Sequence, residues 1–279
     1  FAPKSYLLKL QRYMNLNPVI IQRKNLRLKL WDDVRPINDE QVKAELIYMK
    51  YGFFDESGFN LPIEPDTTPK LFHLCQAVRE RLNVHEKVVF QLDNRVRVQG
   101  GCIVSSNDQY PSIIHMSSGA VNTLSEDELS VLIGHELGHL INKDGIVSFY
   151  FNLKYKKSGA PKKIAHQFNV YRLLSELEAD RYAYLASGDL DTCISFEYKR
   201  IGGIDIKKFG VPTNQFIEGN HKRVQMFFDG GQIGSNTHPY DAIRTEALHI
   251  FATSKNSHEL SSRMYPLVYY IDKYANEII

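Results

Sequence analysis

The stretch VLIGHELGHLINKD (131–144) contains residues whose types and spacing could hold a metal ion. His135 and His139 are four residues apart, and Glu136 directly follows the first histidine. On an α-helix, residues four apart differ by about 40° around the axis and about 6 Å along it. Both imidazoles would therefore point the same way, at the spacing that binds one zinc ion. Glu136 cannot be a third ligand from the same turn, but it can reach a zinc-bound water and accept its proton.

This pattern also arises by chance on ordinary buried helices. Whether it indicates a zinc site therefore depends on whether the chain offers a third ligand. A catalytic zinc ion needs three protein ligands and an open position for water. A histidine six residues after His139 is excluded because Gly145 stands there. The later stretch ELEAD offers carboxylates instead. Glu176 and Asp180 share one face of a helix, whereas Glu178 lies about 200° around the axis from Glu176.

We therefore expect Glu176 to bind zinc and Asp180 to orient a ligand imidazole through its ring N–H. Ala179 is small and would let the two helices pack closely. The alternative for ELEAD is a solvated, charge-rich helix face, which is the usual setting of such clusters.

The flanking residues indicate which elements carry these side chains. Ser125 and Glu128 form a capping box that starts the helix of the first motif, and we expect that helix to end near Gly145. A second long helix fits 162–187 and carries ELEAD. Between them we expect a loop over 146–163, whose basic run KYKKSGAPKK is typical of solvated chain.

The rest of the chain predicts further helices and a small sheet. Residues 38–51 are typical of a helix, Thr68-Pro69 opens an amphipathic helix, and His238-Pro239 starts another. Three runs are rich in β-branched residues. They are 87–92, 95–104 and 112–117. The order of helices, short sheet and helices predicts an α+β fold, mostly helical, with the sheet before the zinc-binding helix.

Composition excludes several classes of protein. The 279 residues carry 34 basic and 32 acidic side chains, a net charge of +2, so nothing demands a nucleic acid or a membrane surface as partner. Three widely spaced cysteines predict no disulfide framework and favour a reducing, cytoplasmic setting. No run approaches the roughly 18 apolar residues of a transmembrane helix. The first residue is Phe, so a removed signal peptide or a missing segment stays open.

We expect three parts along the chain. Residues 1–66 would form an N-terminal helical extension packed on the core, 67–255 the catalytic domain, and 256–279 a C-terminal tail.

HELGHLINKD, ELEAD and THPYDAIR (237–244) occur in the order seen in zinc metallopeptidases of family 48, and the chain resembles that family of HtpX-like and CAAX prenyl protease-like gluzincins. The matching part covers roughly 85–250. The resemblance implies a zincin-like fold with one zinc ion per chain on His135, His139 and Glu176. It also implies Glu136 as general base and Asp180 beside the ligands.

The resemblance places two further residues near the cleft. His238 would stabilise the oxyanion or touch the metal, and its alternative is a capping or packing role. Arg244 would pair with Asp180 or with Asp241.

The resemblance also has limits. Membrane-embedded members carry transmembrane segments, often between the two metal motifs, but here the apolar run GIVSFYF is too short to span a bilayer. We expect a soluble relative. Many members have an Asn-Ala-aromatic stretch before the zinc helix, and DNRVRVQGGCIV stands in that region instead. Substrate preference therefore does not carry across.

The expected function is a zinc-dependent endopeptidase that cleaves protein or peptide substrates. The substrate would lie extended along the edge of the sheet around 95–117, held by backbone hydrogen bonds, with broad sequence tolerance. One alternative is a binding or chaperone-like module with a structural zinc ion. Another is a latent protease gated by the 146–163 loop. The oligomeric state stays open.

Overall fold

The computed structural model describes residues 17–35, 40–41, 43, 60–106, 110–205, 208, 210, 212–231, 234 and 238–275. The helices are α1 (Pro18–Val34), α2 (Pro69–Arg81), α3 (Ser118–Thr123), α4 (Glu126–Asn142), α5 (Asp144–Tyr155), α6 (Lys162–Ser187), α7 (Leu190–Gly202), α8 (Thr213–Asp229), α9 (Asp241–Thr253) and α10 (Ser257–Tyr274). The strands are β1 (Leu61–Pro62), β2 (Val88–Asp93), β3 (Gly100–Ile103) and β4 (Ser112–Ser117). The predicted α+β fold, mostly helical with a small sheet, is confirmed. The helix predicted at 38–51 lies outside the described residues, apart from 40–41 and 43.

The four strands form one mixed sheet in the order β1-β2-β4-β3. β2 and β4 are parallel, whereas β3 is antiparallel to β4, with Gly100 opposite Met116 and Ile103 opposite Ile113. β3 is shorter than the predicted run 95–104. Asp93 accepts a hydrogen bond from the backbone N–H of Arg95 at 3.0 Å, and this turn takes the following residues out of the sheet.

Helices α4 and α6 pack closely because small residues line their contact. A Cβ atom added at Gly134 would lie 2.4 Å from the Cβ of Ala186, and one at Gly138 would lie 3.0 Å from the Cα of Ala179. A Cβ atom at Gly134 would overlap Ala186, and one at Gly138 would press tightly against the backbone of α6. The close approach confirms the role expected of Ala179, and it brings the face of α4 that carries the two histidines against the face of α6 that carries Glu176.

The start of α4 and the extent of α6 follow the sequence predictions. The Glu128 carboxylate accepts from the Ser125 backbone N–H at 2.8 Å, and the Ser125 hydroxyl accepts from the Glu128 backbone N–H at 3.3 Å. This is the predicted capping box. α6 spans Lys162–Ser187, the predicted range.

The segment 146–163, predicted as a loop, is largely helical, and that prediction is wrong. Lys143 ends α4 in the left-handed conformation (φ 56°, ψ 37°), which turns the chain so that α5 begins at the next residue. α5 forms because its apolar residues recur at helical spacing and are buried. They are Ile146, Val147, Tyr150 and Phe151. The solvated linker to α6 is therefore confined to 156–161.

The late helix also begins later than predicted. α9 starts at Asp241 rather than at His238-Pro239, because Pro239 forms an isolated β-bridge with Gly234 before the helix. A proline cannot donate to such a bridge but its carbonyl can accept, which suits a position just outside the helix.

The described ends of the chain pack on the same core. α1 lies against α6, and α10 lies against both α1 and α6. The apolar face of α10 is buried, and its members are Leu260, Met264, Leu267, Val268 and Ile271. The division into 1–66, 67–255 and 256–279 remains a prediction. None of the described helices has the length and apolar character needed to cross a membrane.

Candidate metal centre

Three ligand-type side chains meet between α4 and α6. The Nε2 atoms of His135 and His139 are 3.2 Å apart. Glu176 places Oε2 3.5 Å from Nε2 of His135 and Oε1 3.5 Å from Nε2 of His139. With zinc bonds of about 2.0–2.1 Å in a tetrahedral site, ligand atoms lie roughly 3.3 Å apart. The three side chains therefore have the spacing that one zinc ion requires.

The carboxylate of Glu176 points to the same conclusion. Glu176 is buried, and its Oε2 atom accepts no hydrogen bond from the described residues. The guanidinium of Arg244 approaches this oxygen to 3.8 Å, which is beyond hydrogen-bonding distance. A buried carboxylate oxygen without a partner is costly, and a cation between the three ligands would satisfy it. The donor set of two imidazoles and one carboxylate suits zinc.

Asp180, which the sequence predicts to orient a ligand imidazole, lies beside His135. Its Oδ1 atom lies 3.0 Å from Nδ1 of His135. Arg244 donates to Asp180 twice, from Nε to Oδ2 at 2.8 Å and from Nη2 to Oδ1 at 2.5 Å. Of the two partners left open for Arg244, the structure selects Asp180, and Asp241 contacts Arg200 instead.

The charge of Arg244 keeps this carboxylate ionised. Burial by itself raises the pKa of Asp180, but the contact with Arg244 and the hydrogen bond with His135 together hold that pKa well below its ordinary value. An ionised Asp180 accepts the Nδ1–H of His135, which leaves the Nε2 lone pair free for a metal.

A second aspartate, which the sequence analysis missed, orients His139. Asp144 places Oδ2 3.1 Å from Nδ1 of His139. Its Oδ1 atom accepts from Nη1 of Arg23 at 2.9 Å, from the Tyr171 hydroxyl at 2.7 Å and from the Ser175 hydroxyl at 3.0 Å. Burial raises the pKa of Asp144, but the hydrogen bonds with His139 and Tyr171 and the charge of Arg23 hold that pKa below its ordinary value.

Helical spacing could not reveal Asp144. It follows His139 by five residues within the first motif, but it belongs to the next helix, after the left-handed turn at Lys143. In the sequence, only its position at the end of the stretch VLIGHELGHLINKD could have pointed to Asp144.

Glu136 lies between the ligands and the edge strand β3. It is buried, and a Cβ atom added at Gly100 would lie 2.8 Å from its Oε1 atom. Gly100 therefore lets the strand approach this carboxylate. A cavity of about 770 Å³ opens at this point and is lined by Gly100, His135, Glu136 and His238, among others.

His238 lies at the mouth of the site. Its Nε2 atom is 3.6 Å from Oε2 of Glu176, and its side chain is 55% exposed. It lines the large cavity and also a smaller one of about 220 Å³ that contains His139 and Glu176. The structure thus gathers all seven predicted site residues: His135, Glu136, His139, Glu176, Asp180, His238 and Arg244. Glu178 lies away from the ligands and contacts Arg23.

His135, Glu136 and His139 form a His-Glu-x-x-His pattern on one helix, and with Glu176 the two histidines form a group that could hold a metal ion. Residues 109–159 match the profile of peptidase family M48, a segment that contains α4 and α5. The match supports the resemblance to this family that the motifs indicated.

Similar curated proteins carry the name protease HtpX homolog. The one from Trichormus variabilis is 28% identical over 83 residues, which is 30% of this chain and 28% of the relative. The one from Nostoc sp. is 28% identical over 82 residues, 29% of this chain and 27% of the relative. A third, from Nostoc punctiforme, is 26% identical over 83 residues, 30% of this chain and 28% of the relative. The chain thus matches less than a third of the length of these relatives. No solved structure matches it.

Replacing Asp180 by Asn is expected to weaken zinc binding by about 10–100-fold, the usual effect of removing a partner that orients a ligand. The amide would lose the charge that Arg244 pairs with and would hold the His135 N–H less well. Competition with a chromophoric chelator measures the change. Asp241→Asn is the matched control, because Asp241 contacts Arg200 and not a ligand. Equal zinc affinity in the two variants would contradict the orienting role.

Proposed function

We propose that this protein is a zinc-dependent endopeptidase. The observation that carries the proposal is the convergence of His135, His139 and Glu176 on one point with Glu136 beside them. The similarity to M48 peptidases and to HtpX homologs supports the same activity.

In peptide hydrolysis the metal ion and the side chains of this protein would have different roles. A zinc ion, when bound, would polarise the scissile carbonyl and lower the pKa of water towards neutrality. Glu136 accepts the proton of the attacking water and delivers it to the leaving amine nitrogen. His238, which lines the same cavity, would donate a hydrogen bond to the carbonyl oxygen as negative charge develops there. Asp180 and Asp144 hold the two imidazoles in position.

The substrate would add to the sheet at β3. Among the described strands β3 pairs with β4 alone, and Gly100 at its start lines the large cavity beside Glu136. An extended peptide there is held mainly by backbone hydrogen bonds, which place few demands on its side chains. An apolar cavity of about 450 Å³ adjoins the end of the strand. Its apolar lining includes Ile103, Val104, Ile146, Phe149 and Leu153.

The test is to incubate the zinc-loaded protein with a mixed, unbiased peptide library and to map the cuts by mass spectrometry. We expect cleavage that a zinc chelator abolishes and added zinc restores, because the reaction needs the metal. A protein that holds zinc yet cuts no peptide under these conditions would contradict the proposal.

The same cut sites test the mode of substrate binding. We expect broad tolerance, with at most a preference for an apolar side chain on one side of the cut, where the adjoining cavity could accept it. One strict residue requirement on both sides of the cut would mean that side chains rather than the backbone select the substrate.

The two alternatives have less support. A structural zinc ion in a binding or chaperone-like module would have four protein ligands. Within the described residues three converge, and His238, the nearest further imidazole, is 55% exposed. X-ray absorption showing four protein ligands and no water would favour that module. The alternative of a latent protease gated by 146–163 requires a loop there, and most of that segment is the packed helix α5.

A further inference from the structure

Behind the metal centre, one arginine joins three of the helices that build it. Arg23 in α1 is 2% exposed. It donates from Nη1 to Asp144 at 2.9 Å, from Nη2 to Asn142 at 3.0 Å, and from Nε to Glu178. Asn142 ends α4, Asp144 starts α5, and Glu178 belongs to α6.

We propose that Arg23 is a positioning residue for the metal ligand His139 and that it acts through Asp144. The inference rests on the metal centre of the proposed function, and it makes the N-terminal helix part of that centre.

Asp144 carries its charge in the protein interior. This carboxylate is 6% exposed, and an ionised group at such a depth needs compensation. Tyr171 and Ser175 donate neutral hydrogen bonds, and the first turn of α5 adds a partial positive charge. Arg23 supplies the full positive charge. Without it, the donors left to Oδ1 of Asp144 among these contacts would be the neutral hydroxyls of Tyr171 and Ser175.

The shape of the Arg23 guanidinium also helps to position Asp144. The guanidinium is a planar fork, and its three contacts hold the Asp144 carboxylate in one orientation relative to α4 and α6. Oδ1 of Asp144 faces Arg23, and Oδ2 is left to accept the Nδ1–H of His139. That bond orients the imidazole so that its Nε2 atom faces Glu176.

The arrangement repeats the one at the other histidine. His135 is held by Asp180, which is held by Arg244 from α9. His139 is held by Asp144, which is held by Arg23 from α1. Both Arg244 and Arg23 lie outside the segment 109–159 that matches the family profile.

The first experiment is a zinc titration of Arg23→Gln by competition with a chromophoric chelator. We expect the dissociation constant for zinc to rise about 10–100-fold, as for other groups that support a metal ligand. Lys24→Gln is the matched control: it removes the same charge from the next residue of α1, which is exposed. Arg23→Lys should recover part of the affinity, because it keeps the charge but cannot make all three contacts. Equal affinity in Arg23→Gln and Lys24→Gln would overturn the proposal.

A double-mutant cycle separates positioning from a general structural role. If Arg23 acts through Asp144, then Asp144→Asn should weaken zinc binding, and adding Arg23→Gln should weaken it little further. Fully additive losses would mean that Arg23 acts by another route and would overturn the proposal.

If Arg23→Gln fails to fold, Arg23→Leu combined with Glu178→Leu decides the matter. This pair removes the arginine together with its second carboxylate partner, and apolar replacements of a buried ion pair are often tolerated. Weakened zinc binding in the folded double variant supports the proposal, and native affinity overturns it. All of these titrations omit substrate. A wild-type protein that binds zinc but cuts no peptide would therefore count against the proposed function alone.

Discussion

Replacing Glu136 by Gln is expected to slow peptide hydrolysis by about 100- to 10,000-fold while zinc stays bound. Glu136 lies beside the three ligands but is not one of them, and it faces the edge strand at Gly100. Glutamine has nearly the same size, so the helix packing should persist. An amide cannot accept the proton of the attacking water or pass it to the leaving amine, which is why the loss should fall on kcat.

Two measurements on the same samples test this expectation. Peptide cleavage is followed by kcat/KM on a substrate taken from the library, and zinc content by atomic absorption. Glu126→Gln is the control, since Glu126 lies on the same helix with a side chain that is 73% exposed. If Glu136→Gln keeps near-native activity, another group must be the base. If it loses its zinc, Glu136 contributes to the ligand set.

Replacing Glu176 by Gln is expected to remove most of the bound zinc after dialysis, whereas Glu178→Gln should keep it. Glu176 is the carboxylate within 3.5 Å of both ligand imidazoles. Its loss removes a direct ligand, so the fall in affinity should exceed the roughly 100-fold that marks the upper range for groups behind the ligands.

Glu178 makes a close control because it lies two residues away on the same helix and is also buried. Its partner is Arg23, and a glutamine at 178 can still accept a hydrogen bond from that guanidinium. Zinc retained by Glu176→Gln and lost by Glu178→Gln would mean that the ligand face of α6 has been misassigned.

The sequence predictions that the structure confirms rest on short-range patterns such as helical spacing and capping residues. The capping box at Ser125 and the range of α6 follow from short-range patterns, since capping and helical spacing involve residues a few positions apart. The gathering of His135 and His139 with Glu176 follows from the same rule on two helices. A four-residue step places side chains on one helix face wherever the helix lies, so the spacing predicts which side chains share a face. The packing of α4 against α6 then brings the two faces together.

Tertiary structure decided what depends on contacts between distant parts of the chain. Asp144 reaches His139 because a left-handed residue turns the chain, and Arg23 reaches Asp144 across 121 residues. The sequence leaves two partners for Arg244, and the burial of Asp180 beside its guanidinium decides between them. The helix α5 replaced an expected loop because packing buried its apolar face. Charge pairing in a protein interior depends on which groups burial brings together, and one-dimensional spacing does not contain that information.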